Sequence, residues 1–292
     1  MAEAIECLVD AKCALGESPV WDEAHNRLLW ADIDGAAIHA IELGGRRTRK
    51  WQLPGKVGSF GLCESDRLVV GLPNGVHLFD PASGDVELLV DPEPERPTNR
   101  LNDGKVGPDG AFWVGSMDDR PDKEPVAALY RVTADGGVER KIGDLTVSNG
   151  LAWSGDGGTL FHSDSRGGWI DRHDCDPASG ALSNRTRIAE LTDEQGRPDG
   201  AAVDVEGAYW SCGVSAGVIN RFSRDGALLE KIPLPVPTPT MCCFGGPDMK
   251  TLFITSLRVN VAPEILERHP FTGGILTMQT EFAGAPVGRF RA

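Results

Sequence analysis

One pattern recurs six times along this chain and constrains it more than any other feature. An apolar strand runs into an Asp/Gly/Pro/Ser turn, and a second strand rich in aromatic and β-branched residues follows. The copies are Pro19-Val20-Trp21-Asp22 with Leu28-Leu29-Trp30, Gly61-Leu62-Cys63 with Leu68-Val69-Val70, and Lys105-Val106 with Phe112-Trp113-Val114. Then come Leu151-Ala152-Trp153 with Leu160-Phe161, Ala202-Val203 with Tyr209-Trp210, and Cys243-Phe244 with Leu252-Phe253-Ile254. The second strands begin at 28, 68, 112, 160, 209 and 252, in steps of 40, 44, 48, 49 and 43. A period of about 40–50 residues with four strands per unit is that of a β-propeller blade.

The rest of each period fits. Third strands are expected at 37–41, 75–79, 128–132, 169–173, 218–222 and 274–278, and fourth strands at, for example, 86–90 and 228–232. The string Asp-Pro-Ala-Ser-Gly opens a turn at both 80–84 and 176–180. The early segment Ile5-Glu6-Cys7-Leu8-Val9 precedes the first full unit. It is expected to add the outer strand to the last blade and close the ring. The fold class expected is all-β, a six-bladed propeller with four-stranded blades, in one domain over residues 1–292. A pair of β-sandwiches is the alternative. Gly at 36 positions and Pro at 20, without long helical apolar faces, agrees with short strands joined by turns.

Composition narrows the partners. With 29 basic and 43 acidic residues the net charge is −14, which repels nucleic acid phosphates and anionic lipid. No stretch nears the roughly 18 apolar residues of a membrane span. The acidic start Met1-Ala2-Glu3-Ala4-Ile5-Glu6 is unlike a signal peptide. Seven Cys, none with CxxC spacing, are expected to be reduced thiols in a cytoplasmic protein, monomeric or homodimeric.

In a propeller the first strands line the central channel. About ten residues before each second strand stand Glu17, Ser59, Asn102-Asp103, Asn149, Asp199 and Thr240. Loops returning to the same end add Asp32-Ile33-Asp34, Met117-Asp118-Asp119-Arg120 and Asp164-Ser165-Arg166. Singly, Asp and Asn near Gly are turn formers. At matched positions of a ring they form a set of oxygen donors without His or Cys. That set suits a hard divalent cation, Ca²⁺ or Mg²⁺, with Mn²⁺ or Zn²⁺ as alternatives.

Gly16-Glu17-Ser18-Pro19-Val20-Trp21, Asn99-Arg100-Leu101-Asn102-Asp103-Gly104-Lys105, Ser148-Asn149-Gly150, Pro198-Asp199-Gly200 and Cys243-Phe244-Gly245-Gly246-Pro247-Asp248 resemble signature segments of a known family. It is the senescence marker protein (regucalcin), gluconolactonase and luciferin-regenerating enzyme family, and the resemblance covers nearly the whole chain. It implies a six-bladed propeller that binds one divalent cation and hydrolyses sugar lactones. Carried over by position, it implies Glu17, Asn149 and Asp199 as metal ligands and Arg100 and Asn102 as substrate-binding residues. Asp119 is the acidic residue expected to contact the sugar. Asp199 is the candidate general base, with Asp103 or Asp164 as alternatives. Other readings are a different metal-dependent ester hydrolase on the same frame and a non-enzymatic calcium-binding propeller.

Two rival signals are weaker. Gly213-Val214-Ser215-Ala216-Gly217 fits a nucleophile elbow, but that motif needs a strand-to-helix turn. The six His show no metal-ligand spacing, although His162 falls near the channel and Trp169 is placed to wall the pocket.

Overall fold

The computed structural model describes residues 4–292. It is a six-bladed β-propeller, each blade a four-stranded antiparallel sheet. The innermost strands are Gly16–Asp22, Ser59–Leu62, Asn99–Val106, Ser148–Trp153, Pro198–Val203 and Pro239–Gly245, for blades 1 to 6 in chain order. Each touches the innermost strand of the next blade, and that of blade 6 returns to blade 1.

Blade 6 shows how the ring is closed. Its strands Pro239–Gly245, Thr251–Ser256 and Ile275–Gln279 are consecutive in the chain, and Glu6–Val9 pairs antiparallel with the last of them. The N-terminal strand therefore covers an edge that would otherwise offer unpaired N–H and C=O groups. One short helix, Pro263–Arg268, interrupts this blade, started by a proline whose missing N–H costs nothing at the first helical turn. Among the described residues no helix is long and apolar enough to cross a membrane.

The core divides into six apolar clusters, one at each blade-to-blade junction. Leu29, Ile38, Phe60, Leu68 and Val70 join blades 1 and 2. Leu28, Trp30, Cys243, Phe253 and Ile275 join blades 6 and 1. Strand alternation makes this possible, since successive side chains point to opposite faces. Adjacent Cys242 and Cys243 accordingly enter different clusters, the first between blades 5 and 6 and the second between 6 and 1. All seven cysteines are free thiols.

Blades 3 and 5 share a polar staple on the side away from the ring of acids. Asp109 accepts from Trp113 Nε1 at 3.2 Å and Arg131 Nε at 2.6 Å. Asp204 accepts from Trp210 Nε1 at 2.9 Å and Arg221 Nη2 at 2.8 Å, and from the backbone N–H groups of Glu206 and Ala208. Each carboxylate thus ties a turn to the second and third strands, a use that explains a buried charge by pairing. The C-terminal segment crosses the same side, where Arg289 reaches Asp22 at 3.2 Å and Phe290 is buried between blades 2 and 3.

Candidate metal and substrate site

Five of the six inner strands carry a register shift against their second strand. The shifts fall at 17–20 in blade 1, 101–104 in blade 3, 149–152 in blade 4, 198–201 in blade 5 and 239–242 in blade 6. A bulge puts two residues opposite one and re-aims a side chain out of the strict alternation. Each shift begins at or beside a predicted ring residue: Glu17, Asn102, Asn149, Asp199 and Thr240. Blade 2 is regular here and brings only Ser59. Gly150, at φ +67°, turns the chain straight after Asn149. A Cβ there would lie 2.3 Å from the Tyr209 hydroxyl, so that position accepts no side chain.

The bulges assemble a continuous polar chain across three blades. Asp119 Oδ1 accepts from Arg100 Nε at 3.1 Å. Arg100 Nη1 donates to Asn102 Oδ1 at 2.8 Å, and Asn102 Nδ2 donates to Asn149 Oδ1 at 3.3 Å. Asn149 Nδ2 donates to Asp199 Oδ1 at 2.7 Å and to Ser165 Oγ at 2.7 Å. Glu17, Arg100, Asn102 and Asn149 are buried, and Asp199 is partly open to solvent.

Glu17 completes the charge pattern. Burial, then the carboxylates of Asp199 and Asp103, pushes it well above the usual carboxylate range. Burial, then Asp103, does the same to Asp199. Carboxylates this close repel when ionised, and a cation between them removes that cost. Glu17 accepts one hydrogen bond, from Ser18 N to Oε2 at 3.0 Å, and Asp199 one, at Oδ1. Among the described residues Glu17 Oε1 and Asp199 Oδ2 accept none, and no three His, Cys, Asp or Glu side chains form a metal cluster. Two carboxylates and the Asn149 carboxamide are oxygen donors of the kind a hard cation takes, so the residues fit a divalent ion.

Several predicted participants have other work. Asp164 is not free to act as a base, because both of its oxygens are taken by backbone N–H groups: Thr146 on Oδ2, and Val147, Arg166 and Gly167 on Oδ1. Asp32 holds Ala14, Leu15 and Gly35 N–H groups in the same way. Asp118 is engaged by Arg120, by Nε and by Nη2 at 2.7 Å. Thr240 bonds Gly16 O and Thr255, tying blade 6 to blade 1. Asp103 is buried beside the site, with Oδ2 held by Leu151 N at 3.1 Å and Oδ1 unpaired.

Ser215 lies in the hairpin turn between Tyr209–Gly213 and Val218–Phe222, and its hydroxyl donates to Asp193 O, which removes the nucleophile-elbow reading. Trp169 packs beneath Arg187, 4.4 Å from its ring centroid. His162 is fully buried and shares a hydrogen bond with Ser148 Oγ at 2.9 Å. Ser165 belongs to the loop Asp164-Ser165-Arg166 that the sequence brings to this end of the ring; its hydroxyl oxygen accepts from Asn149 and so orients it, while Lys105 Nζ spans from blade 3 to Ala201 O in blade 5 at 2.8 Å. The serine's particular role was not read from the sequence. The lysine stood in a quoted motif, but only the closed ring brings it to blade 5.

Comparison with known proteins bears on the family and the fold. The family described as SMP-30/gluconolactonase/LRE-like region matches residues 15–258. A 6-deoxy-6-sulfogluconolactonase from Pseudomonas putida is 36% identical over 285 residues, covering 97% of both chains. An L-arabinolactonase from Azospirillum brasilense is 32% identical, covering 97% of this chain and 94% of its own. Among solved structures, a calcium-binding protein, regucalcin, from Agrobacterium tumefaciens superposes with a TM-score of 0.94 at 26% identity, over 99% of this chain and 98% of that one. A match of this extent in sequence and in architecture places the chain in the SMP-30/gluconolactonase/LRE-like family.

Proposed function

We propose that this protein is a divalent-cation-dependent sugar lactonase, with Glu17, Asn149 and Asp199 holding the ion. The carrying observation is the unbroken polar chain Asp119–Arg100–Asn102–Asn149–Asp199, which joins a sugar-binding end to a cation-binding end. Two relatives that cover nearly the whole chain are named as lactonases, hydrolases of a cyclic ester, which supports the same reaction class.

When bound, the cation supplies Lewis-acid polarisation of the lactone carbonyl and positive charge for the oxyanion that develops there. Of the cations suited to these oxygen donors, Ca²⁺ is the first choice, with Mg²⁺, Mn²⁺ and Zn²⁺ as alternatives. Arg100 and Asn102 hold the sugar by hydrogen bonds and fix the attack geometry. Asp119, already aligned by Arg100, accepts from a sugar hydroxyl. Asp199 Oδ2, which carries no hydrogen bond, takes a proton from water as the water oxygen bonds to the carbonyl carbon. The ring C–O bond then breaks, the proton passes to the leaving ring oxygen, and the product is the open-chain sugar acid. Burial and Asp103 raise the proton affinity of Asp199 in the cation-free site, and a bound cation lowers it.

A panel of aldonolactones and aryl esters, crossed with Ca²⁺, Mg²⁺, Mn²⁺ and Zn²⁺ on chelator-treated protein, tests the proposal. Lactone turnover that is lost on chelation and restored by one of the ions is expected. Aryl esters cleaved far faster than every lactone, or turnover indifferent to chelation, overturns it.

A further inference from the structure

Blade 2 leaves a gap in the ring of polar residues. Its inner strand Ser59–Leu62 has no bulge and opens on a serine, between Glu17 of blade 1 and the Arg100 and Asn102 of blade 3. The loop leading into that strand fills the gap. Leu53 and Val57 are buried between blades 1 and 2 and hold the loop on both sides of Pro54-Gly55-Lys56. Gly58 presses the backbone onto blade 3, where a Cβ would collide with Leu101 O and lie 3.0 Å from Asn102 O. On its other side Gly58 O accepts from Ser18 Oγ, next to Glu17, at 3.5 Å. The loop is thus wedged between the carboxylate of blade 1 and the Arg100–Asn102 pair of blade 3.

Lys56 is the cation of this loop. Its Nζ lies 3.3 Å from Asp119 Oδ2 and 3.5 Å from Asp34 Oδ1. Asp34 belongs to the turn between Arg27–Asp32 and Ala37–Glu42 of blade 1, and Asp119 follows Phe112–Asp118 of blade 3. Asp119 Oδ1 in turn accepts from Arg100 Nε at 3.1 Å. A ladder Asp34–Lys56–Asp119–Arg100 therefore crosses the sector of blade 2. The side chains of Asp34, Lys56 and Asp119 are 32%, 42% and 40% exposed, so a ligand can reach them, whereas Arg100 is buried beside Asn102.

Stability is a weak reason for such a ladder, because ion pairs this exposed contribute little. Its chemistry fits sugar hydroxyls. The order along it is acceptor, donor, acceptor, donor, and a hydroxyl both donates and accepts. The ammonium has three N–H donors, more than its two carboxylate neighbours take up. Two carboxylates against an ammonium and a guanidinium sum to no net charge, so the ladder suits an uncharged polyol. Blade 2 also lies opposite blade 5 in a ring of six. A lactone whose carbonyl meets Asp199 of blade 5 turns its other end toward Lys56.

We propose that Lys56 is a further substrate-binding residue, which donates to hydroxyls at the end of the sugar remote from the lactone carbonyl. Asp34 and Asp119 hold its ammonium in place. This rests on the lactonase reading above and assigns the part of the substrate that lies over blade 2.

The test uses the cation-loaded protein and two substrates: the aldonolactone of the panel above with the highest kcat/KM, and δ-valerolactone, whose ring carries no hydroxyl. The ratio of the first kcat/KM to the second is expected to fall about tenfold in Lys56→Met, mostly through KM of the aldonolactone, as one charge-assisted hydrogen bond is lost. The same fall is expected when Lys56→Met is made in an Asp119→Asn background, since the contact is the lysine's own. In Lys50→Met, on the exposed outer strand of blade 1, the ratio is expected to hold. The rise in Tm on adding the cation is expected to be the same in Lys56→Met as in wild type, as the cation end of the site is untouched. Equal losses on both lactones, no loss, a loss carried by kcat alone, or a loss that vanishes in the Asp119→Asn background overturns this inference while the lactonase reading stands. Hydrolysis of no aldonolactone of the panel by the wild type overturns both.

Discussion

Asn149 Nδ2 donates to Asp199 Oδ1 at 2.7 Å, joining residues 50 apart in the chain and one blade apart in the ring. The carboxamide also accepts from Asn102 and donates to Ser165, so Asp199 is held in position by a side chain that is itself held twice. One oxygen of the carboxylate is spent on this contact and the other is left for cation or water.

Asp199→Asn keeps the acceptor for Asn149 and removes the base and the anionic ligand. Lactone kcat/KM is expected to fall by at least about 10³, at the upper part of the range for losing a general base because a cation ligand is weakened too. Melting of the cation-free variant, followed by circular dichroism, is expected at or above the wild-type temperature, because one of the mutually repelling carboxylates is gone. Unchanged turnover contradicts the assigned role.

Cation binding is expected to stabilise the fold. At a hundredfold excess over Kd the gain is about 2.7 kcal/mol, read as a rise in Tm that a chelator reverses. Glu17→Gln and Asn149→Ala are each expected to shrink that rise, whereas Asp164→Asn changes the Tm of the cation-free protein and leaves the increment on adding the ion intact.

Stability is expected to depend on pH through His162. Burial, aided by the charges of His173 and Arg185, pushes its pKa from 6.5 down to about 3, so the folded state keeps the ring neutral. The unfolded chain protonates it below pH 6.5 and is thereby favoured. The contribution is absent above pH 6.5, and the fold loses about 1.4 kcal/mol per pH unit as pH falls from there toward about 3. The raised Glu17 and Asp199 act with the opposite sign, since a folded state that holds its protons more tightly gains as pH falls. The wild type minus His162→Gln difference in urea-unfolding free energy, at pH 7, 6 and 5, isolates the histidine. A difference that stays flat over this range contradicts the account.

Asp204→Ala removes a fully buried carboxylate and leaves Arg221 and the Trp210 N–H without their partner. A loss of about 3–5 kcal/mol is expected by denaturant titration. Lactone kcat/KM in the surviving folded protein is expected to stay within about twofold, a bound taken from the lack of any contact to the reacting groups. Asp204 and Asp199 flank one inner strand, so the pair separates a stabilising carboxylate from the one proposed to act in catalysis.

Much of the architecture was legible before any coordinates. The period-two alternation, the turn residues and the repeat spacing announced six blades, and Ile5–Val9 was placed correctly as the closing strand. What could not be read was how each acid is used. Asp164 and Asp199 look alike in the chain, each an acid beside a strand end, the first closing the second strand of blade 4 and the second opening the inner strand of blade 5. Asp164 is spent on backbone N–H groups, and Asp199 stands in a bulge and bonds Asn149 of the next blade. Bulges depend on pairing with the second strand, which no window of sequence displays.

The sequence by itself therefore determined the period, the strand order and the ring of positions at which Glu17, Asn102, Asn149 and Asp199 stand. These follow from local alternation and turn chemistry, which act over a few residues. Only the tertiary structure decided which acids are tied up by backbone N–H groups, that Asn149 locks Asp199, and that Lys105 reaches from blade 3 to Ala201 O in blade 5. Those relationships arise when residues tens of positions apart are brought together by closing the ring, and their energies depend on distances and burial that the closed ring alone creates.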